Sequence, residues 1–191
     1  VIITASERNV IVWDALIGSK TFTHTDICSE EISACCLDDR KRKIIIGDVT
    51  GRIGVYNYSS GAFMKSVHHA NPSVVIALEY FNETKRFIAG YSNGLICLYD
   101  ENVLEECHLI RTFESLNRHP EMLSLKFASE SRTVVTCGES SDVVRLWDYD
   151  SGKCDTELRL LGGAQGGGAD YVSMCLLSPL PLIATSDTSG N

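Results

Sequence analysis

The stretch VVRLWDYDSGK, residues 143–153, is an alternating apolar strand that ends in a Trp-Asp pair and runs into a Ser-Gly turn. Side chains that alternate with period two mark a strand, and Asp followed by Ser-Gly marks a tight turn. Weaker copies of the phrase lie upstream as NVIVWD (9–14), RIGVYN (52–57) and LICLYD (95–100). Their aromatic residues are Trp13, Tyr56, Tyr99 and Trp147, at intervals of 43, 43 and 48 residues. A fixed spacing in this range is the mark of a repeat architecture.

The rest of each unit aligns around that phrase. Before it lies a short turn and a second apolar strand: VIITAS (1–6), KIIIGD (43–48), RFIAGY (86–91) and TVVTCG (133–138). Before that lies a first strand: ISACCLD (32–38), VIALEYF (75–81) and MLSLKFAS (122–129). Its apolar residues recur at offsets 0, +3 and +5, as in Ile32, Cys35, Leu37 or Met122, Leu125, Phe127. A fourth strand follows the aromatic and acid: KTFTH, FMKSVHH, LIRTF and TELRL. The unit is thus four short strands, about 43 residues long, as in a propeller blade.

On these residues the chain resembles the WD-repeat β-propeller family over essentially its whole length. The resemblance implies an all-β propeller of four-stranded antiparallel blades, in which the aromatic packs between neighbouring sheets. The expected division is an incomplete blade over 1–26, blades over 27–70, 71–117 and 118–166, and a further incomplete blade over 167–191. In the last unit the 0, +3, +5 pattern reads as Val172, Cys175 and Leu177. The chain begins in a second strand and stops where a third should begin, so a fragment of a seven- or eight-bladed propeller is expected. A compact four-bladed closure is the alternative.

The family's buried polar network is expected to be incomplete. Where its turn Asp belongs, six residues before the aromatic, this chain has Glu7, Thr50, Asn93 and Ser141. His24, His69 and His119 lie near the family's His but at drifting offsets. The repeats should therefore be held chiefly by apolar packing.

Composition sets further bounds. Net charge is −8, which argues against a nucleic-acid or anionic-membrane binder, since those partners attract basic surfaces. No apolar run approaches the length of a membrane span. The eight Cys include no C-x-x-C, and several sit in apolar strands, which predicts reduced thiols in an intracellular protein. Two sequons, Asn57-Tyr58-Ser59 and Asn82-Glu83-Thr84, point the other way, toward an extracellular module.

No catalytic group stands out. GGAQGGG (162–168) lacks the Lys of a phosphate-binding loop and reads as a connection between blades. DDRKRK (38–43) reads as a solvated hairpin. GESSD (138–142) places Ser140 in a turn rather than a nucleophile elbow. The histidines, including His68-His69, lack metal-ligand spacing. Glu30-Glu31 and Glu105-Glu106 point to opposite faces of an extended chain.

The expectation is a non-catalytic scaffold that binds other proteins or peptides and needs no cofactor. By register and resemblance, the rim that binds them holds Arg8, Arg52, Asn93 and Asp142 in turns between second and third strands. Asn71 and His119 lie on the connections between blades. The rival readings are an enzyme whose active groups lie in blades outside this chain, and an extracellular recognition module.

Overall fold

The computed structural model describes residues 1–38, 40–67, 72–81, 84–102, 105–113, 121–138, 143–159, 171–177, 180 and 182–188. They form short strands and no helix. The first sheet is β1 (Ile2–Ser6), β2 (Asn9–Trp13) and β3 (Lys20–His24). The second is β4 (Ile32–Leu37), β5 (Lys43–Asp48), β6 (Ile53–Asn57) and β7 (Phe63–Val67). The third is β8 (Val75–Phe81), β9 (Arg86–Tyr91), β10 (Ile96–Asp100) and β11 (Glu106–Phe113). The fourth is β12 (Met122–Ala128), β13 (Thr133–Gly138), β14 (Val143–Asp148) and β15 (Cys154–Arg159). A last pair is β16 (Tyr171–Leu176) and β17 (Ile183–Asp187). Consecutive strands pair antiparallel within each sheet. β11 starts earlier than the LIRTF segment suggests. Its first residues, Glu106 and Cys107, pair in parallel with Ser66 and Val67 of β7, joining the second and third sheets at their outer edge.

The residue after each aromatic turns the chain. Asp148 Oδ1 accepts the Ser151 amide at 2.6 Å, and Asp14 Oδ1 accepts the Leu16 amide at 2.8 Å. Asn57 Oδ1 accepts the Ser60 amide at 2.9 Å, and Asp100 Oδ1 accepts the Asn102 amide at 2.8 Å. Such short-range bonds are why Asp and Asn start turns. In three of these hairpins a glycine sits four residues on, at φ 68°, 70° and 73° for Gly18, Gly61 and Gly152. Left-handed backbone favours glycine there. Each of the three returns its amide to the acid's or amide's own carbonyl at 2.9 Å.

Bulges account for the offsets of the first strand. In β4, β8, β12 and β16 the register shifts just after the first residue, at Ile32/Ala34, Val75/Ala77, Met122/Ser124 and Tyr171/Ser173. An extra residue resets the alternation, so offsets 0 and +3 face the same way. In the last pair the structure differs from the sequence expectation. Tyr171 and Met174 are buried, whereas Val172 is 54% exposed and Cys175 and Leu177 are also exposed. The pattern starts one residue earlier than the apolar residues suggest, and a slip of one residue turns every side chain to the other face.

The core is divided among the gaps between sheets. Val10, Ile44, Ile46 and Tyr56 fill the first gap, and Ile45, Val55, Val75, Leu78, Phe87 and Tyr99 lie in the second. Ile88, Ile96, Phe113, Met122, Leu125 and Trp147 lie in the third; Val135, Cys137, Tyr171 and Met174 lie in the fourth. Neighbours along one strand serve opposite gaps, as Phe87 and Ile88 do. This is why the second and third strands are largely apolar, with a few buried polar residues such as Thr136 and Arg145 among them. Trp147, 1% exposed, leans on the preceding sheet, its ring edge-on to Phe113 with centroids 6.5 Å apart.

The polar network is indeed partial. Trp147 Nε1 donates to Thr136 Oγ1 at 2.8 Å, and Trp13 Nε1 to Thr4 Oγ1 at 2.9 Å. In the two middle sheets Ile46 and Ala89 hold the threonine's register, and the tyrosines have no such bond. Tyr99 instead shares its hydroxyl with Tyr91 at 3.0 Å.

Sheets approach most closely where a second strand meets the next sheet's first residue. A Cβ on Gly47 would lie 2.7 Å from Val75 Cβ; one on Gly90 would lie 2.6 Å from Met122 Sδ. The valine contact lies close to the backbone and cannot retreat, whereas the methionine sulfur can. Gly47→Ala should therefore cost about 1–3 kcal/mol and Gly90→Ala about 1 kcal/mol or less in urea unfolding. Equal costs would contradict this geometry.

Candidate functional site

The turns between second and third strands lie at one end of their sheets, and three of the six rim residues named from sequence are there. The second sheet's turn is built on Asp48, a buried carboxylate. Its Oδ1 accepts the Thr50 amide at 2.8 Å, the Thr50 hydroxyl at 2.7 Å and the Arg52 amide at 3.0 Å. Asp48 lies eight residues before Tyr56, not six, yet it organises the turn. That leaves the Arg52 side chain exposed. Arg52 borders a cavity of about 280 Å³ together with Cys28, Tyr56 and Phe63.

In the first sheet Arg8 is exposed and pairs with Asp26 at 2.6 Å. An ion pair this exposed contributes little to stability, about 0–1 kcal/mol. The turn is fixed instead by its backbone, since the Glu7 and Arg8 carbonyls accept the Ile32 and Ile27 amides at 2.7 and 3.0 Å. In the third sheet Asn93 is exposed, but its Oδ1 accepts the Leu95 amide at 3.2 Å. Next to it the Ser92 carbonyl accepts the Met122 amide of the following sheet at 2.9 Å. Asn71, His119 and Asp142 lie outside the described residues, as do GGAQGGG, Ser140 and His68-His69. Among the described residues no group of three or more His, Cys, Asp or Glu could hold a metal.

Seven of the eight thiols are buried or half-buried, and Cys175 is exposed. All eight are free. Burial pushes Cys107 and Cys137 up to about 11, and burial with nearby acids raises Cys36 well above the usual thiol range. A thiol so raised is a poor nucleophile.

A second polar cluster was not visible in the sequence. Glu101 follows Asp100 and is 2% exposed. Lys43 of β5 donates to its carboxylate, Lys65 of β7 lies 3.4 Å away, and the Tyr80 hydroxyl donates to Oε2 at 2.7 Å. Lys65 also donates to the Glu101 carbonyl at 2.6 Å. Lys43 belongs to the basic hairpin read as solvated, yet it bridges to the next sheet. Only the inward register of Lys65 in FMKSV hinted at the cluster, and its acid lies 36 residues away. Burial alone would raise the Glu101 carboxyl. The hydrogen bonds from Lys43 and Tyr80 and the charges of Lys43 and Lys65 outweigh it and hold the group below the usual carboxylate range.

Comparison with known proteins fits this geometry. No family model matches. The chain is 26% identical over 189 residues to cilia- and flagella-associated protein 337 B of Tetrahymena thermophila, covering 98% of this chain and 14% of that protein. It is 24% identical over 95 residues to the U3 small nucleolar RNA-associated protein 15 homolog of Mus musculus, covering 50% of this chain and 18% of that protein. The chain thus spans less than a fifth of either curated relative. A chain in the crystal structure of the mitotic checkpoint complex superposes with a TM-score of 0.76 at 20% identity, over 98% of this chain and 56% of that one. The fold is that of a β-propeller, of which the described residues make up a part.

Because Glu101 is depressed in the folded state, its stabilisation is complete above the unfolded carboxyl value and fades as pH falls through the folded one. Acid unfolding of the wild type should therefore steepen below about pH 4.5, and Glu101→Gln should flatten that dependence. At pH 7 the variant should lose about 3–5 kcal/mol, because two lysines then face a neutral amide. An unchanged pH profile in denaturant melts would show that the cluster does not clamp the sheets.

Proposed function

We propose that this chain is a non-catalytic docking platform of an intracellular protein, and that it binds other proteins or peptides through the rim at the turns between second and third strands. The observation that carries the reading is the presentation of Arg8 and Arg52, two exposed cations on successive turns whose backbones are fixed independently of them. A rigid turn carrying an exposed charged head is suited to electrostatic recognition, which sets specificity and association rate. Asn93 adds an exposed amide, and Asn71, His119 and Asp142 join the rim by sequence register.

The relatives support the reading through their names, which describe proteins associated with cilia and flagella and with a small nucleolar RNA, and the solved neighbour is part of a protein complex. The net charge of −8 favours protein partners over direct contact with nucleic acid or an anionic membrane. We further propose that the platform works within a larger propeller. Ile2 on the first sheet is 54% exposed and Val172 on the last pair equally so, which leaves apolar surface for further blades to cover.

Arg8→Glu and Arg52→Glu, introduced singly into the intact protein, should each lower the recovery of bound partners about three- to tenfold in quantitative pulldowns, with no change in melting temperature. Unchanged recovery in both variants and in the double variant would overturn the rim assignment.

A further inference from the structure

The hairpins between first and second strands lie at the opposite end of the sheets from the Arg8 and Arg52 turns. In the second, third and fourth sheets each carries a cation in left-handed backbone, Lys41 at φ 52°, Lys85 at 51° and Arg132 at 51°. Glycine takes that conformation without cost, whereas a long side chain is strained in it. Lys85 and Arg132 correspond closely, since their carbonyls accept the Glu101 and Tyr149 amides, each at 3.0 Å. In the second sheet Arg42 makes that bond, accepting the Tyr58 amide at 2.8 Å.

The fourth sheet shows what such a cation does. Arg132 holds Asp150, the second residue after the turn acid Asp148, by two bonds of 2.8 and 2.5 Å. At the same place, two residues after Asn57 and Asp100, the second and third sheets have Ser59 and Asn102, and neither is an acid. Ser59 bonds back to Asn57, and the Asn102 side-chain amide donates to the Thr84 carbonyl at 3.3 Å. Arg40, Lys41, Arg42 and Lys85 are all exposed, and none enters an ion pair among the described residues. The β4–β5 hairpin is shaped without their charges. Asp38 Oδ1 accepts the Arg42 and Lys43 amides at 2.7 Å each, and the Asp38 carbonyl accepts the Lys41 amide at 3.1 Å. DDRKRK sets four cations against two acids; Asp38 is buried in the hairpin, and Lys43 is spent on Glu101. The bond of the Glu101 amide to Lys85 sets the two hairpins side by side.

We propose that Arg40, Lys41, Arg42 and Lys85 form a docking strip for an acidic segment of a protein partner. Its Asp or Glu carboxylates take the place that Asp150 holds, from within the chain, against Arg132. Complementary charge on a backbone fixed in advance gives such a strip its selectivity. The net charge of −8 confines the attraction to the strip. A nucleic acid or an anionic membrane would run on over the acidic surface around it, whereas a short acidic segment need not. The strip lies at the other end of the sheets from the Arg8 and Arg52 rim, so either can fail without the other.

The test offers the intact protein capped, labelled hexaglutamate, hexaglutamine and hexauridylate, with binding read by fluorescence anisotropy. Hexaglutamate should bind about tenfold more tightly than hexaglutamine, the factor one charge-assisted bond provides. Lys41→Gly and Lys85→Gly remove the cations and suit the left-handed backbone, so both variants should fold. Combined, they should lower the affinity for hexaglutamate several-fold, and Arg52→Glu should leave it unchanged. Equal binding of the two peptides, binding of neither, tighter binding of hexauridylate, or indifference to the combined glycine variant would each overturn the proposal.

Discussion

The middle strands of the second, third and fourth sheets bury apolar residues on both sides, and a sheet of that kind must be covered twice. Ile44 and Ile45, or Phe87 and Ile88, are adjacent in sequence and buried in different gaps. A fully buried side chain of this size contributes about 1.5–3 kcal/mol. No single sheet here can collect that alone. Stacking face against face, with each sheet serving two neighbours, is what the pattern requires, and the remaining features follow from it. Small residues at Gly47 and Gly90 let the sheets approach. Tyr56, Tyr99 and Trp147, at the ends of their third strands, each fill a gap on one side, and the polar group after them closes the hairpin so that the fourth strand returns along the outside.

Much of this was legible in the sequence because the signals are local and repeated. The turn chemistry of Asp14, Asn57, Asp100 and Asp148 depends on atoms two or three residues away. The spacing of the aromatics displays the repeat directly. The bulge in the first strand was legible too, though disguised: the 0, +3, +5 spacing is how a bulge looks from outside. Where that signal became ambiguous the reading slipped. YVSMCLL offers apolar residues in both registers, so Val172, Cys175 and Leu177 imitate the pattern that Tyr171, Met174 and Leu176 carry. Only the pairing of Met174 with Thr185 and Tyr171 with Asp187 decides between them.

Contacts between repeats were not legible. Glu101 meets Lys43 from 58 residues away, and nothing in either neighbourhood announces the other. Of the rim, the sequence could name positions in register, Arg8, Arg52 and Asn93 among them. It could not show that Arg8 would pair with Asp26, or that Asp48 would take over the turn from a residue two places later.

The central claim is that each sheet is held by side chains reaching into its neighbour, and the contact of Phe113 with Trp147 across the third gap tests it most directly. A double-mutant cycle on these two residues, read by urea unfolding of Phe113→Leu, Trp147→Leu and the double variant, should give a coupling energy of about 0.5–1.5 kcal/mol. A coupling indistinguishable from zero would mean that the two rings do not share an interface and that the sheets are not stacked in this way.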